Sequence, residues 1–154
     1  SIYSKIFGTI QLILLAYFLF NFVLLTPYQY TYLNIFNGKR ENFYKKFEND
    51  YWGSSIKELI YKTKLNKNSR IIFSSCGIAE DNAKFYLKKA GFSNFSFESL
   101  DKSQFIIMTN RTTNIKENIY SSNNVTNCFE KFKGVDITQV KRNKMTLSVI
   151  RKIN

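Results

Sequence analysis

The stretch Ile6–Thr26, IFGTIQLILLAYFLFNFVLLT, runs for 21 positions without a charged residue. As a helix rising about 1.5 Å per residue, it reaches across the ~30 Å hydrocarbon core of a bilayer. A buried helix of a soluble protein would show a polar face. A signal peptide would have a shorter apolar core and a small-residue cleavage site. This stretch has neither, and Leu24-Leu25-Thr26-Pro27-Tyr28 offers no such site. Residues 1–26 are therefore expected to form one transmembrane helix. Gln11 and Asn21 are its strongly polar side chains. An unpaired amide in hydrocarbon is costly, so both are expected to face neighbouring helices of a bundle.

The rest of the chain is basic. There are 23 Lys and Arg against 11 Asp and Glu, and only Lys5 among the charged residues precedes Lys39. Such a surface seeks anions: nucleic acid, anionic lipid headgroups or phosphorylated substrates. An AT-rich genome would also enrich Lys, Asn, Ile and Phe. Counted alone, the basic residues after the span place the following domain in the cytoplasm. In a polytopic protein, earlier helices usually set the orientation.

The chain has no histidine. That removes the usual general base, the Ser-His-Asp and Cys-His nucleophile arrangements, and nearly all zinc chemistry. Two cysteines cannot complete a thiolate zinc site. No metal or cofactor is expected, and no catalytic residue can be named. The first residue is Ser1, which fits either a removed initiator or a piece of a longer protein.

Beyond the span comes PYQYTYLNIFNG (27–38), and later Asp50-Tyr51-Trp52-Gly53. An interfacial aromatic belt accounts for the tyrosines, because amphipathic rings favour the headgroup level. It does not account for their order. Pro27-Tyr28-Gln29-Tyr30, then Tyr32 and Asn34, then Asp50-Tyr51-Trp52-Gly53, resemble a region of bacterial polytopic glycosyltransferases of the C-type superfamily. These are relatives of protein mannosyltransferases and aminoarabinose transferases. In some of them the last membrane helix ends in a similar string, led by a histidine, and an extracytoplasmic α/β domain follows. Thr26 stands where that histidine would be.

The resemblance implies a last membrane helix and C-terminal domain, located at the bacterial inner membrane with the domain in the periplasm. The family's catalytic carboxylate lies in an early outward loop, which no position here matches. The fragment itself is thus not expected to be active. Its expected partners are membrane lipid, a polyprenyl-phosphate sugar donor and the remaining helices of the parent enzyme, with no nucleic acid. Candidate binding residues are Tyr28, Gln29, Tyr30, Tyr32, Asn34, Lys39, Arg40, Asp50, Tyr51 and Trp52. The competing expectation is a single-pass, non-enzymatic basic module that binds a partner protein or anionic lipid.

The expected fold is α/β: the membrane helix, an aromatic interface segment (27–53), and a small mixed-sheet domain (54–154) ending in a β-hairpin. Ser55-Ile56-Lys57-Glu58 fits a capping box, which predicts a helix over about 55–64. Arg70–Ser75 is a buried strand, Glu80–Ala90 a helix stopped by Gly91, and Asn94–Glu98 and Phe105–Thr109 are strands. A polar, Asn-rich loop fills 110–127, and Cys128–Lys133 has room for a helical turn or two. Ile137–Val140 and Thr146–Arg151 flank Lys141–Lys144 as a closing hairpin.

Other sites fare less well. Ser74-Ser75-Cys76-Gly77 with Glu98 has the spacing of a dinucleotide site, but lacks the glycines that let a pyrophosphate approach. Cys76 and Cys128 could pair in an oxidising compartment, or stay buried thiols. Glu48 with Asp50, and Glu80 with Asp81, read better as surface and helix-start acids than as an acid–base pair. Lys39, Arg40, Lys45 and Lys46 suit either anionic headgroups or a plain solvated face.

Overall fold

The N-terminal apolar sequence forms one continuous helix, α1 (Ile2–Leu24), long and apolar enough to cross a membrane. The computed structural model describes residues 2–31, 38–39, 41–42, 47–48, 50, 52–111 and 127–153. Tyr32, Asn34, Arg40 and Tyr51, along with Lys45 and Lys46, lie outside the described residues, as does most of the Asn-rich loop. Along α1 the side chains are exposed, Gln11 included, and Asn21 is the exception at 2 % exposure. The expectation that Asn21 faces another membrane helix is corrected here. Its side-chain nitrogen donates to Tyr17 O at 2.8 Å, and its oxygen accepts from the Asn143 amide at 3.2 Å. Its partner is therefore the soluble part of the same chain.

That part is an α/β domain. Helix α2 (Ile56–Lys62) leads to strand β1 (Ile71–Cys76), helix α3 (Glu80–Lys89), strand β2 (Phe95–Phe97) and strand β3 (Phe105–Thr109). A short helix α4 (Cys128–Lys131) and a hairpin of β4 (Val135–Arg142) and β5 (Met145–Lys152) complete it. The five strands form one sheet in the order β2-β1-β3-β5-β4. The first three run parallel, while β5 is antiparallel to both β3 and β4.

The period-two alternation of a strand explains the two cores. In β3, Phe105 and Ile107 point to one face and Ile106 and Met108 to the other. On the first face, Ile56, Leu59 and Ile60 of α2 and Ala83 and Leu87 of α3 bury Phe73 and Ile107. On the second, Cys128 and Phe129 of α4 cover Ile106, Met108 and Val149. A disulfide joins Cys76 to Cys128, fastening α4 to the end of β1.

Local signals set the boundaries. Gly91 has φ 89°, the left-handed conformation that ends α3 after Ala90. Helix α2 stops at Lys62, two residues short of the expected end, because Thr63 turns extended. The hairpin strands are longer than expected and meet at Asn143-Lys144, both with positive φ (45° and 68°). Two successive left-handed residues match the right-handed twist of a two-residue hairpin.

The hairpin also orients the sheet. Thr109 pairs with Ser148 near the start of β5, and Phe105 with Lys152 at its end. The carboxyl ends of β1 and β3 thus point toward the hairpin tip, and through Asn143 toward α1.

Tying two cysteines 52 positions apart removes loop entropy from the unfolded chain. Reduction, or the double change Cys76→Ser/Cys128→Ser, is expected to lower the unfolding free energy by about 2–4 kcal/mol. Urea titration followed by circular dichroism, with and without reductant, checks it; coincident curves would contradict it.

Candidate functional site

The polar cluster of the molecule gathers where α1 gives way to the domain. Tyr28 follows the end of the helix, and its ring is buried (5 % exposed). Its hydroxyl donates to Glu58 Oε2 at 2.8 Å. Arg142, from the end of β4, donates Nη2 to the same oxygen at 2.6 Å and Nε to Thr26 O at 2.9 Å. The guanidinium also lies 5.2 Å from the Tyr28 ring centroid, within cation–π range. Lys62, one turn on from Glu58, places its ammonium 2.5 Å from Oε1. That oxygen has no well-angled hydrogen bond, so the attraction there is ionic.

Burial alone would raise the Glu58 carboxyl. Lys62, Arg142 and Tyr28 outweigh it and hold the group down at about 2. Such a carboxylate is a weak base, suited to holding cations. Tyr28 is shifted the other way, upward, first by burial and then by its bond to Glu58.

A second carboxylate organises the neighbouring turn. Asp50 is fully buried. Its oxygens accept from Ser54 N at 2.9 Å, Ser55 N at 3.0 Å, Ser55 Oγ at 2.5 Å and the Tyr30 hydroxyl. Ser55 Oγ continues to Ser148 Oγ at 2.6 Å, tying this turn to β5. The Tyr30 ring is half exposed while its hydroxyl end is covered. Burial of that end, followed by the bond to Asp50, raises the phenol above its ordinary range.

These contacts correct the capping-box expectation. Ser55 has helical backbone angles and no side-chain cap bond, and Glu58 points to Tyr28 and Arg142. Asp50 does the capping instead, through the backbone N–H groups of Ser54 and Ser55 just before α2.

The sequence-predicted residues therefore divide. Tyr28, Tyr30 and Asp50 come together, and they act on the protein itself. Gln29 is half-buried and donates to Thr26 Oγ1 at 2.9 Å, so the threonine hydroxyl takes up the amide beside it. Trp52 is 77 % exposed and lines an open cleft of about 530 Å³ with Asp81, Asn82 and Phe85. Lys39 lies apart, in a second cleft of about 780 Å³ beside α1. Glu58, Arg142 and Asn143 were not singled out as partners of the membrane-proximal turn. A lone arginine among turn lysines carries no positional signal until the hairpin is folded.

The dinucleotide alternative is closed sterically. A Cβ at Gly77 would meet Thr109 Oγ1 at 2.6 Å, Arg111 Cβ at 2.8 Å and Cys128 Sγ at 3.1 Å. Thr109 also donates to Gly77 O at 2.8 Å. The space a pyrophosphate would need beside that turn is filled by protein. Among the described residues there is no group of three His, Cys, Asp or Glu placed to hold a metal. Comparison with protein-family models, with curated proteins and with solved structures finds no match.

The Glu58 cluster makes stability depend on pH. The folded carboxyl titrates at about 2 and the ordinary value is 4.5. Its contribution is therefore complete above about pH 4.5 and is lost as pH falls toward 2. Partial solvent screening makes it at most about 3 kcal/mol. The melting temperature of the wild type is expected to drop more steeply over that window than that of Glu58→Gln. Parallel pH profiles would show the pairing to be without effect.

Proposed function

We propose that this chain is the last membrane helix and outward-facing C-terminal domain of a bacterial membrane glycosyltransferase of the C-type superfamily. The intact enzyme would move a sugar from a polyprenyl-phosphate carrier to an acceptor, with its catalytic carboxylate in an earlier part of the protein. One observation carries the reading. The two strings that resemble that family, Pro27–Tyr30 and Asp50–Gly53, meet in space through the Tyr30–Asp50 hydrogen bond. Two motifs that belong to one family and form one structural unit are better explained by common descent than by an interfacial belt.

The chemistry agrees with a non-catalytic piece. Both organised carboxylates, Asp50 and Glu58, are occupied by protein donors. The role of the region is then to fix the domain at the mouth of an active site, with Trp52 exposed and Gln29 half-buried beside it. The disulfide supports an oxidising, periplasmic setting, since such bonds persist outside the reducing cytosol.

A second reading is a single-pass, non-enzymatic tethered module. It gains from Asn21, which is satisfied within the chain and needs no neighbouring helix.

The coding frame upstream of Ser1 separates the two. The first reading expects further apolar spans and an acidic residue in the first large outward loop. A start codon immediately upstream would remove it. In the intact enzyme, Gln29→Ala and Trp52→Ala are each expected to lower turnover or donor affinity by roughly tenfold, about 1.4 kcal/mol. Wild-type kinetics in both variants would count against the proposed placement.

A further inference from the structure

The second cleft, of about 780 Å³, opens where α1 meets the hairpin tip. Its floor is Tyr17 and Phe20 on the last turns of α1, 36 % and 64 % exposed. Its rim carries Lys39, Glu41, Asn143 and Lys144. The floor belongs to the apolar helix and the rim to the polar domain, so the cleft straddles the level at which hydrocarbon gives way to headgroups. The Asn21–Asn143 hydrogen bond holds its two walls together.

Lys144 brings a cation to this rim. Its φ of 68° is left-handed, a conformation that glycine or asparagine adopts more easily than lysine. The two-residue hairpin turn sets that conformation and leaves the Lys144 side chain at the hairpin tip, 75 % exposed. The ammonium lies 3.7 Å from Glu41, with both side chains well exposed (75 % and 64 %). An ion pair so open to solvent is weak and exchanges readily for another anion. Among the described residues the rim carries two lysines and one glutamate, so it offers ammonium groups to an anion. That suits a ligand with an anionic phosphate above an apolar tail.

We propose that this cleft binds one anionic phospholipid, its phosphate between Lys39 and Lys144 and an acyl chain along Tyr17 and Phe20. The proposal requires α1 to lie in a bilayer and is independent of the glycosyl-transfer reading. Glu41 accepts from hydroxyls of the headgroup, which favours a glycerol headgroup over a bare phosphate.

The test titrates the full chain, in neutral detergent, with phosphatidylglycerol or phosphatidylcholine and counts bound lipid by native mass spectrometry. One phosphatidylglycerol is expected to be retained in preference to phosphatidylcholine. Lys39→Gln and Lys144→Gly are each expected to weaken it about fivefold, the size of one ammonium near a charged surface. Lys144→Gly relieves the backbone, so its melting temperature should hold or rise while binding falls, which separates binding from folding. The distant pair Lys88→Gln/Lys89→Gln should leave binding unchanged. Equal retention of the two lipids would overturn the proposal, as would an equal loss in the distant pair. Displacement of the lipid by millimolar inorganic phosphate would also overturn it, by showing a plain anion site.

Discussion

The arrangement of helix and domain depends on one guanidinium. Arg142 touches the carbonyl of Thr26, the carboxylate of Glu58 and the face of Tyr28 at once. Those groups come from the turn that follows α1 and from the first domain helix. A planar, permanently charged fork suits this position because it can point donors at several acceptors and still stack. A lysine could supply the charge but not the geometry. Because Arg142 ends β4, the hairpin at the C-terminus of the fold fixes how its N-terminus approaches.

Asp50 plays the complementary part. A carboxylate taken fully out of water is tolerated only when donors replace the lost hydration. Ser54, Ser55 and Tyr30 supply them, and Ser148 extends the chain of hydroxyls into the sheet. Tyr28 and Tyr30 therefore serve the fold's own hydrogen bonding. Tyr28 and Tyr30 are in edge-to-face contact (centroids 6.4 Å apart), and each spends its hydroxyl on an acid of the domain.

What could be read from the sequence was local. The apolar run of α1, the alternation of β3 and the glycine stop after α3 each depend on residues within a few positions, and they appear nearly where expected. The hairpin was legible as two apolar runs around basic turn residues. The capping box failed because its two members had better partners elsewhere, and Ser55 meets the Asp50 carboxylate five positions back. Glu58 finds Arg142, 84 positions on, and Ser55 finds Ser148, 93 positions on. A full charge outcompetes a single backbone N–H, and no local pattern foresees that. Asn21 was misjudged for the same reason. Its amide was correctly seen to need a partner, but the partner is a turn residue 122 positions later.

The disulfide and its surroundings bear on how such a domain can change. Cys128 N donates to Arg111 O at 2.9 Å, and Cys128 is also bound to Cys76. The two flanks of residues 112–126 are thus brought together independently of what lies between them. Lengthening a loop whose ends are already fixed costs little, since the closure term grows only with the logarithm of its length. Insertions there would leave the sheet undisturbed. Their two ends would start from flanks already held beside the carboxyl end of β3, so the sequence can acquire new surface there without rebuilding the sheet.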